Sequence, residues 1–233
     1  MIVSVHQPQY LPWLGYFHKI DKSDCFVFLD SVQYKAREYQ NRNRIRTKDG
    51  WIWLTVPVLV KGHSRQPISD VLIDNSQDWA REHCRSLQVW YAKAAFFKEH
   101  FSFFENLYSR RWERLMDLNI SVIRYCLDAL GITTRVVFES ELGTTEHSTA
   151  RIIQICKKLG ADAYLSGTGG KDYLDEAQFP AAGIRLEYQH FEHPSYGQQF
   201  VDSVNPFAAN MCLVDLLFNE GPASIQILRA GSA

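Results

Sequence analysis

The sequence predicts an α/β fold: a Rossmann-like, mostly parallel sheet with helices on both faces and a helical insertion. Three observations point there. Short apolar runs rich in Val, Ile and Phe alternate with stretches of helical spacing. The chain opens on such a run, Ile2-Val3-Ser4-Val5, and a polar His-Gln-Pro turn follows at once. A later run ending at Leu165 leads into a glycine-rich turn, Ser166-Gly167-Thr168-Gly169-Gly170-Lys171-Asp172. In open α/β sheets ligands bind beyond the carboxyl ends of the strands, so both turns fall where a site is expected.

The elements follow in order. Strand Ile2–Val5, a helix around Trp13–Lys19 and strand Cys25–Asp30 make a βαβ opening. Asn43–Arg46 and the run from Trp51 pair as a hairpin across Lys48-Asp49-Gly50; this run extends towards Val60 and stops near Pro57. Lys61-Gly62-His63-Ser64 reads as loop. Residues 77–131 read as helical, from Trp79, His83, Leu87 and Trp90 to the stripe Leu115, Leu118, Val122, Cys126, Leu130 that stops at Gly131. Strand Thr134–Glu139, helix Thr149–Leu159 with Ser148 as its cap, and strand Ala161–Leu165 come next. A turn at Gly169–Asp175 enters a helix, and strand Ile184–Gln189 and a closing helix over Pro206–Phe218 complete the series. No repeat or low-complexity linker divides the chain, so one α/β domain over 1–233 is expected.

Composition narrows the classes. A 46% hydrophobic and 22% charged chain of 233 residues is ordinary for a folded protein with a sizeable core. A formal net charge of −1 speaks against a dedicated nucleic-acid binder, so any positive site must be local. The five cysteines form no CxxC pair, and reduced core thiols are expected. No basic-then-apolar segment opens the chain and no apolar run nears the ~18 residues that span a bilayer. A cytoplasmic location without membrane insertion is therefore expected.

Three groups of residues carry candidate chemistry. The glycine-rich turn follows a strand, so its amides can cradle an anion, with Ser166 and Thr168 adding hydroxyls, Lys171 a charge, and Asp172 and Tyr173 flanking it. It has neither the Walker nor the GxGxxG spacing. The basic segment from Lys35 to Arg46 holds five cations against Glu38 alone. Its Arg42 and Arg44 could clamp a diphosphate, while Gln33, Asn41 and Asn43 read amides or hydroxyls. Around the first turn, His6 is a candidate general base, with Gln7 and Tyr10 beside it. Asp30, ending the second strand, could orient an amine or bind a ribose. His190, His193 and Tyr196 match no metal-binding pattern, so no metal is expected. Neither a GxSxG elbow nor a cysteine nucleophile motif is present. The aromatic stripe Trp79, Trp90, Phe96, Phe97, Phe101, Phe103, Phe104 reads as core or interface.

With these residues in view, the chain resembles the WbqC-like family of bacterial proteins. The matching stretches are HQPQYLPWLGYF, FVFLDSVQY with NRNRIR and LTVPV, LSGTGGKDYLDE with a following Gly183-Ile184, and the terminal DLLFNEG, which together span residues 2 to 221. Members of that family often sit in gene clusters for O-antigen and other lipopolysaccharide or surface polysaccharides, and a glycine-transferase role has been suggested for one branch. The resemblance thus implies a transferase moving an aminoacyl or acyl group onto a nucleotide-linked amino sugar, with a nucleotide as ligand. The family offers no established catalytic residues to carry over.

At fold level the opening is also similar to the class I adenylyl-transfer superfamily, pantothenate synthetase in particular. Leu14-Gly15-Tyr16 stands where those proteins carry a HIGH-type histidine pair, and no HxGH is present. This second resemblance implies ATP-driven acyl-adenylate formation, with Lys171 as a mobile lysine; the missing histidines count against it. A third expectation is a non-catalytic protein whose aromatic helices dock a partner.

Overall fold

The computed structural model describes residues 1–59 and 66–231. The loop read at Lys61–Ser64, and Val60 before it, lie outside the described residues. Strands β1 (Ile2–His6), β2 (Cys25–Phe28), β5 (Arg135–Phe138), β6 (Ala163–Ser166) and β7 (Arg185–Tyr188) form one parallel sheet. Its order is β5-β2-β1-β6-β7. The chain therefore builds outward from β1 in one direction and then returns to build in the other. The switch lies between β1 and β6, the place where such sheets open a ligand crevice. The register shows that opening directly: β1 pairs with β2 as far as His6, but with β6 only as far as Ser4.

Side chains alternate across the sheet, and this divides the core. Phe26 and Phe28 face α1 (Leu14–Asp21), α4 (Leu115–Leu130), α8 (Leu213–Glu220) and α9 (Ser224–Ala230) in one apolar cluster. Val3, Val5, Cys25 and Val27 face the other way, onto α6 (Ser148–Leu159) and α7 (Gln178–Ala181). Helices on both faces explain why the strands read as continuous apolar runs.

The insertion between β2 and β5 holds the hairpin β3 (Arg42–Thr47) and β4 (Gly50–Thr55), then α2 (Trp79–Tyr91), α3 (Phe97–Ser109) and α4. Residues 77–131 are thus three helices, the first stretch being split into α2 and α3 by a tight turn at residues 92–96 ahead of the long helix that stops at Gly131. The aromatic stripe mostly fills the first cluster: Trp79, Phe97 and Phe104 are buried, and Phe101 and Phe103 pack against them.

Other boundaries differ from expectation for local reasons. Ser148 does not cap α6: its backbone is left-handed (φ 50°), no side chain caps the helix, and the Gln154 amide oxygen takes the amides of Thr145 and Glu146. β4 ends at Thr55, near Pro57 as expected, whereas β5 gives way at Glu139 to the short α5 (Glu139–Leu142). After β6 the glycine-rich turn is a 3-10 turn over Thr168–Asp172; Asp175 takes the Ala177 amide, and α7 starts only at Gln178. The closing helix begins at Leu213, not Pro206, because Asn210 is left-handed and Cys212 bridges in extended form to Trp13.

Candidate functional site

A cavity of about 540 Å³ occupies the switch point. That falls within the roughly 300–1,000 Å³ usual for small-ligand sites. Its walls come from the carboxyl ends of the strands. Val5 and His6 end β1 and Gln7 follows it; Leu29, Val32 and Lys35 follow β2; Gly167–Gly170 and Tyr173 follow β6; Gln189 and Phe191 follow β7. Gly15, Tyr16 and Lys19 of α1 and Ser148, Arg151 and Ile152 of α6 close the two sides. The first turn of α6 thus meets the cavity with its amide end, the positive end of the helix dipole. Among the lining residues there is no Asp or Glu.

His6 stacks on Tyr16 with ring centroids 5.1 Å apart, and the Tyr16 hydroxyl donates to the Gln7 carbonyl at 3.1 Å. Its Nδ1 is sealed from solvent with no hydrogen-bond partner among the described residues. Burial, and then the charge of Lys19, hold its imidazole well below the usual histidine range, so the ring is neutral near pH 7. Burial also raises the Tyr16 phenol far above its ordinary value.

Lys19 was not singled out in the sequence, yet it is the most perturbed cation of the cavity. The residue is 4% exposed, and burial pushes its amine down to about 7. Nζ donates to the Val5 carbonyl at 3.2 Å. A signal was present in the chain: Lys19 lies four residues after Gly15 and three after Tyr16, on one face of the helix behind the first strand. Arg151 also lines the cavity, but its charge is already paired with buried Glu139 at 3.4 Å. Its guanidinium further donates to the Glu146 carbonyl at 2.8 Å.

The structure brings His6, Gln7, Lys35, Gly167, Thr168, Gly169, Gly170 and Tyr173 together around this cavity. It does not bring the rest there. Ser166 is buried behind the turn, its hydroxyl on the Gly167 carbonyl at 3.0 Å. Lys171 is exposed, its Nζ 5.1 Å from the ring centre of Tyr188, and Asp172 is exposed beside it. Gln33 bridges to Pro67 outside the cavity wall. Asp30 is turned into the fold: its carboxylate takes the Ser140 amide at 3.0 Å and hydroxyl at 2.6 Å, fixing the start of α5. Tyr10 is fully buried between His83 (2.8 Å) and Tyr108 (2.5 Å).

The basic run disperses because a strand alternates its faces. Asn43 is buried and donates to the Leu11 carbonyl at 2.7 Å, and Asn41 donates to Val56 at 2.8 Å. Arg42 and Arg44 point the other way, stacked on Trp53 and Trp51 at 4.4 and 4.9 Å. They form a surface ladder and not a clamp over the cavity. His193 and Tyr196 pack with Phe207 away from the cavity wall. Among the described residues no His, Cys, Asp and Glu group has metal-holding geometry, and no helix is long and apolar enough to cross a membrane.

A parallel sheet ordered in this way, with a cavity at its switch point that no Asp or Glu lines, defines a Rossmann-like α/β protein with a candidate small-molecule site. Comparison with known proteins gives the family. The model of the WbqC-like protein family matches residues 7–227. Uncharacterized protein Rv1507c of Mycobacterium tuberculosis is 35% identical over 228 residues, covering 97% of each chain. The chain belongs to the WbqC-like protein family. No solved structure matches it.

Proposed function

We propose that this protein is a transferase of surface-polysaccharide biosynthesis that moves an aminoacyl or acyl group onto a nucleotide-linked amino sugar. One observation carries the reading: the cavity at the switch point is lined by a glycine-rich turn, a helix amide end and cations, with no carboxylate among its lining residues. Such a wall selects an anion, and a nucleotide diphosphate supplies both the charge and a flat base for the Tyr173 and Phe191 rim. Family membership supports the same direction, since O-antigen clusters are where relatives of this kind are expected.

The chemistry asked of the protein is modest. The sugar amine attacks the carbonyl carbon of the donor, the donor's leaving group departs with the electron pair of the broken bond, and one proton leaves nitrogen. A neutral imidazole at His6, held against Tyr16, can take that proton. Most of the acceleration then comes from holding two substrates in reach of one another.

Thermal unfolding against UDP-, dTDP- and GDP-sugars, ATP and coenzyme A tests the reading. A ligand that binds only the folded chain raises the midpoint by mass action, by about 2.7 kcal/mol at a hundred times its dissociation constant. The expected result is a shift with a nucleotide-linked amino sugar, reduced in His6→Ala, followed by acyl transfer to that sugar. A shift with ATP alone, with pyrophosphate released in the presence of an acid, would replace this reading by the adenylate-forming one. Silence across the panel would favour the non-catalytic one.

A further inference from the structure

Lys19 presents an unsolved charge problem. Its side chain is almost wholly buried, and a buried ammonium needs a counter-ion or several acceptors. The structure gives it one acceptor, the Val5 carbonyl, and no carboxylate among the described residues pairs with it. Two of the three N–H donors of an ammonium are therefore left for something else. The geometry says where. Val5 is the first residue of β1 beyond its ladder with β6, so Nζ sits in the gap where the two strands part. Across that gap is the glycine-rich turn: a methyl group at Gly167 would lie 3.9 Å from Nζ and touch nothing else.

We propose that Lys19 is the anion receptor of the cavity: a diphosphate seated between Nζ and the Gly167–Gly170 turn is the counter-ion the protein does not provide, and its arrival draws a solvent proton onto the amine. The inference rests on the anionic-ligand reading above and deepens it by assigning the diphosphate to one side chain.

The groups around Lys19 leave this proton to it. His6 on β1 is held neutral, and the phenols of Tyr16, Tyr164 and Tyr173 are all raised by burial. Arg151 on α6 is satisfied by Glu139, and Lys35 stands at the exposed rim. Of the groups whose titration the cavity displaces, Lys19 is the one moved to about 7. Binding takes up a proton above that point, so diphosphate affinity falls as the solution becomes more alkaline.

Trace acetylation of the intact protein with acetic anhydride, from about pH 6 to about pH 10, tests this without any variant. Mass spectrometry reads each lysine separately. Lys19 is expected to titrate far below the ordinary lysine value of 10.5, and inorganic pyrophosphate or UDP should suppress its labelling while leaving the labelling of exposed Lys171 unchanged. Each unit by which the anion raises the titration lowers labelling about tenfold. Occlusion is separated from protonation by calorimetry of UDP in two buffers of unlike ionisation enthalpy: the heats should differ at about pH 8 and coincide at about pH 6.

Lys19 labelling like a surface lysine would overturn the proposal, as would labelling indifferent to both anions, or heats that coincide at both pH values. The reading of function fails separately. Pyrophosphate or UDP protecting Lys19, with no nucleotide-sugar shifting the unfolding midpoint, would keep the receptor and remove the transferase. A nucleotide-sugar that shifts the midpoint without protecting Lys19 would do the reverse.

Discussion

The amine of Lys19 lies 3.2 Å from the carbonyl oxygen of Val5, in the gap that opens where β1 stops pairing with β6. A lysine there closes an unpaired strand end from inside the crevice, at the cost of its own hydration. The unfolded chain holds this amine at its ordinary value of 10.5, and the folded chain at about 7. Between those values the unfolded state binds more protons, so the Lys19 contribution to stability rises with pH across that window.

Lys19→Met removes this slope. Urea unfolding from about pH 7 to about pH 9 should show wild type gaining on the order of 2 kcal/mol relative to the variant. A difference that stays constant with pH would mean the amine is not desolvated in the folded state.

The glycine-rich turn makes a second prediction through two adjacent positions. A Cβ at Gly170 would meet the Ser166 hydroxyl at 2.0 Å and Leu174 at 3.0 Å, whereas one at Gly169 would meet nothing within 4 Å. Gly170→Ala must therefore displace either the turn or the end of β6, and overpacking of this kind costs about 1–3 kcal/mol. The expected outcome is a lowered unfolding midpoint and about tenfold weaker UDP binding for Gly170→Ala, with Gly169→Ala close to wild type in both. Equal behaviour of the two variants would show that the turn relaxes freely.

Asp30 makes a third. Both carboxylate oxygens are used by Ser140, at 3.0 and 2.6 Å, so the residue positions the β5–α5 turn. Asp30→Ala removes the carboxylate that accepts from the Ser140 amide and hydroxyl, both part-buried, and should cost about 1–3 kcal/mol. A double-mutant cycle with Ser140→Ala should return most of that loss as coupling. UDP affinity per folded molecule should be unchanged, and a large drop there would return Asp30 to the site.

These residues also show what the sequence could convey. Strand identity and the two polar turns were legible because a buried parallel strand writes itself as a mostly apolar run, and Ile2–Val5, broken only by Ser4, and Ala163–Leu165 are such runs. The rule that ligands gather at strand ends located the crevice, but it could not tell which way Asp30 would turn after β2. The basic segment misled for a related reason. Charge density is counted along the chain, whereas a strand deals neighbours to opposite faces, so Arg44 reached Trp51 on the surface while Asn43 was buried under Leu11. The spacing of Lys19 from Gly15 and Tyr16 marks a shared helix face, but α1 is buried on nearly every side, so the spacing alone does not say that this face meets the crevice. Lys171, the lysine that the turn advertised, lies over Tyr188 instead.

Arg46 supplies the last prediction. The guanidinium is buried, and it donates to the carbonyls of Gln199, Phe200 and Asn205 at 3.2 Å each and of Gly50 at 3.4 Å. Its amide donates to the Tyr91 hydroxyl at 2.8 Å, and that hydroxyl donates to Asp215 at 2.7 Å. Asp215 is itself buried; desolvation raises its carboxyl above the ordinary value, while Tyr196, Gln198, Tyr91 and the Arg46 charge oppose that rise. Arg46→Ala therefore leaves carbonyls unpaired and removes a counter-charge together, a loss on the order of 3–5 kcal/mol. Arg46→Lys recovers only part, because a compact ammonium cannot reach carbonyls spread over a planar fork. The sign of the pH effect follows from Asp215. An acid with a raised folded value contributes stability that is lost as pH climbs through that value, and losing Arg46 raises it further. The deficit of Arg46→Ala should accordingly be smaller at about pH 5 than at about pH 8 in urea unfolding, with cleavage by a dilute protease appearing first around residues 199–205. A deficit that stays the same at both pH values would mean that Asp215 does not depend on Arg46.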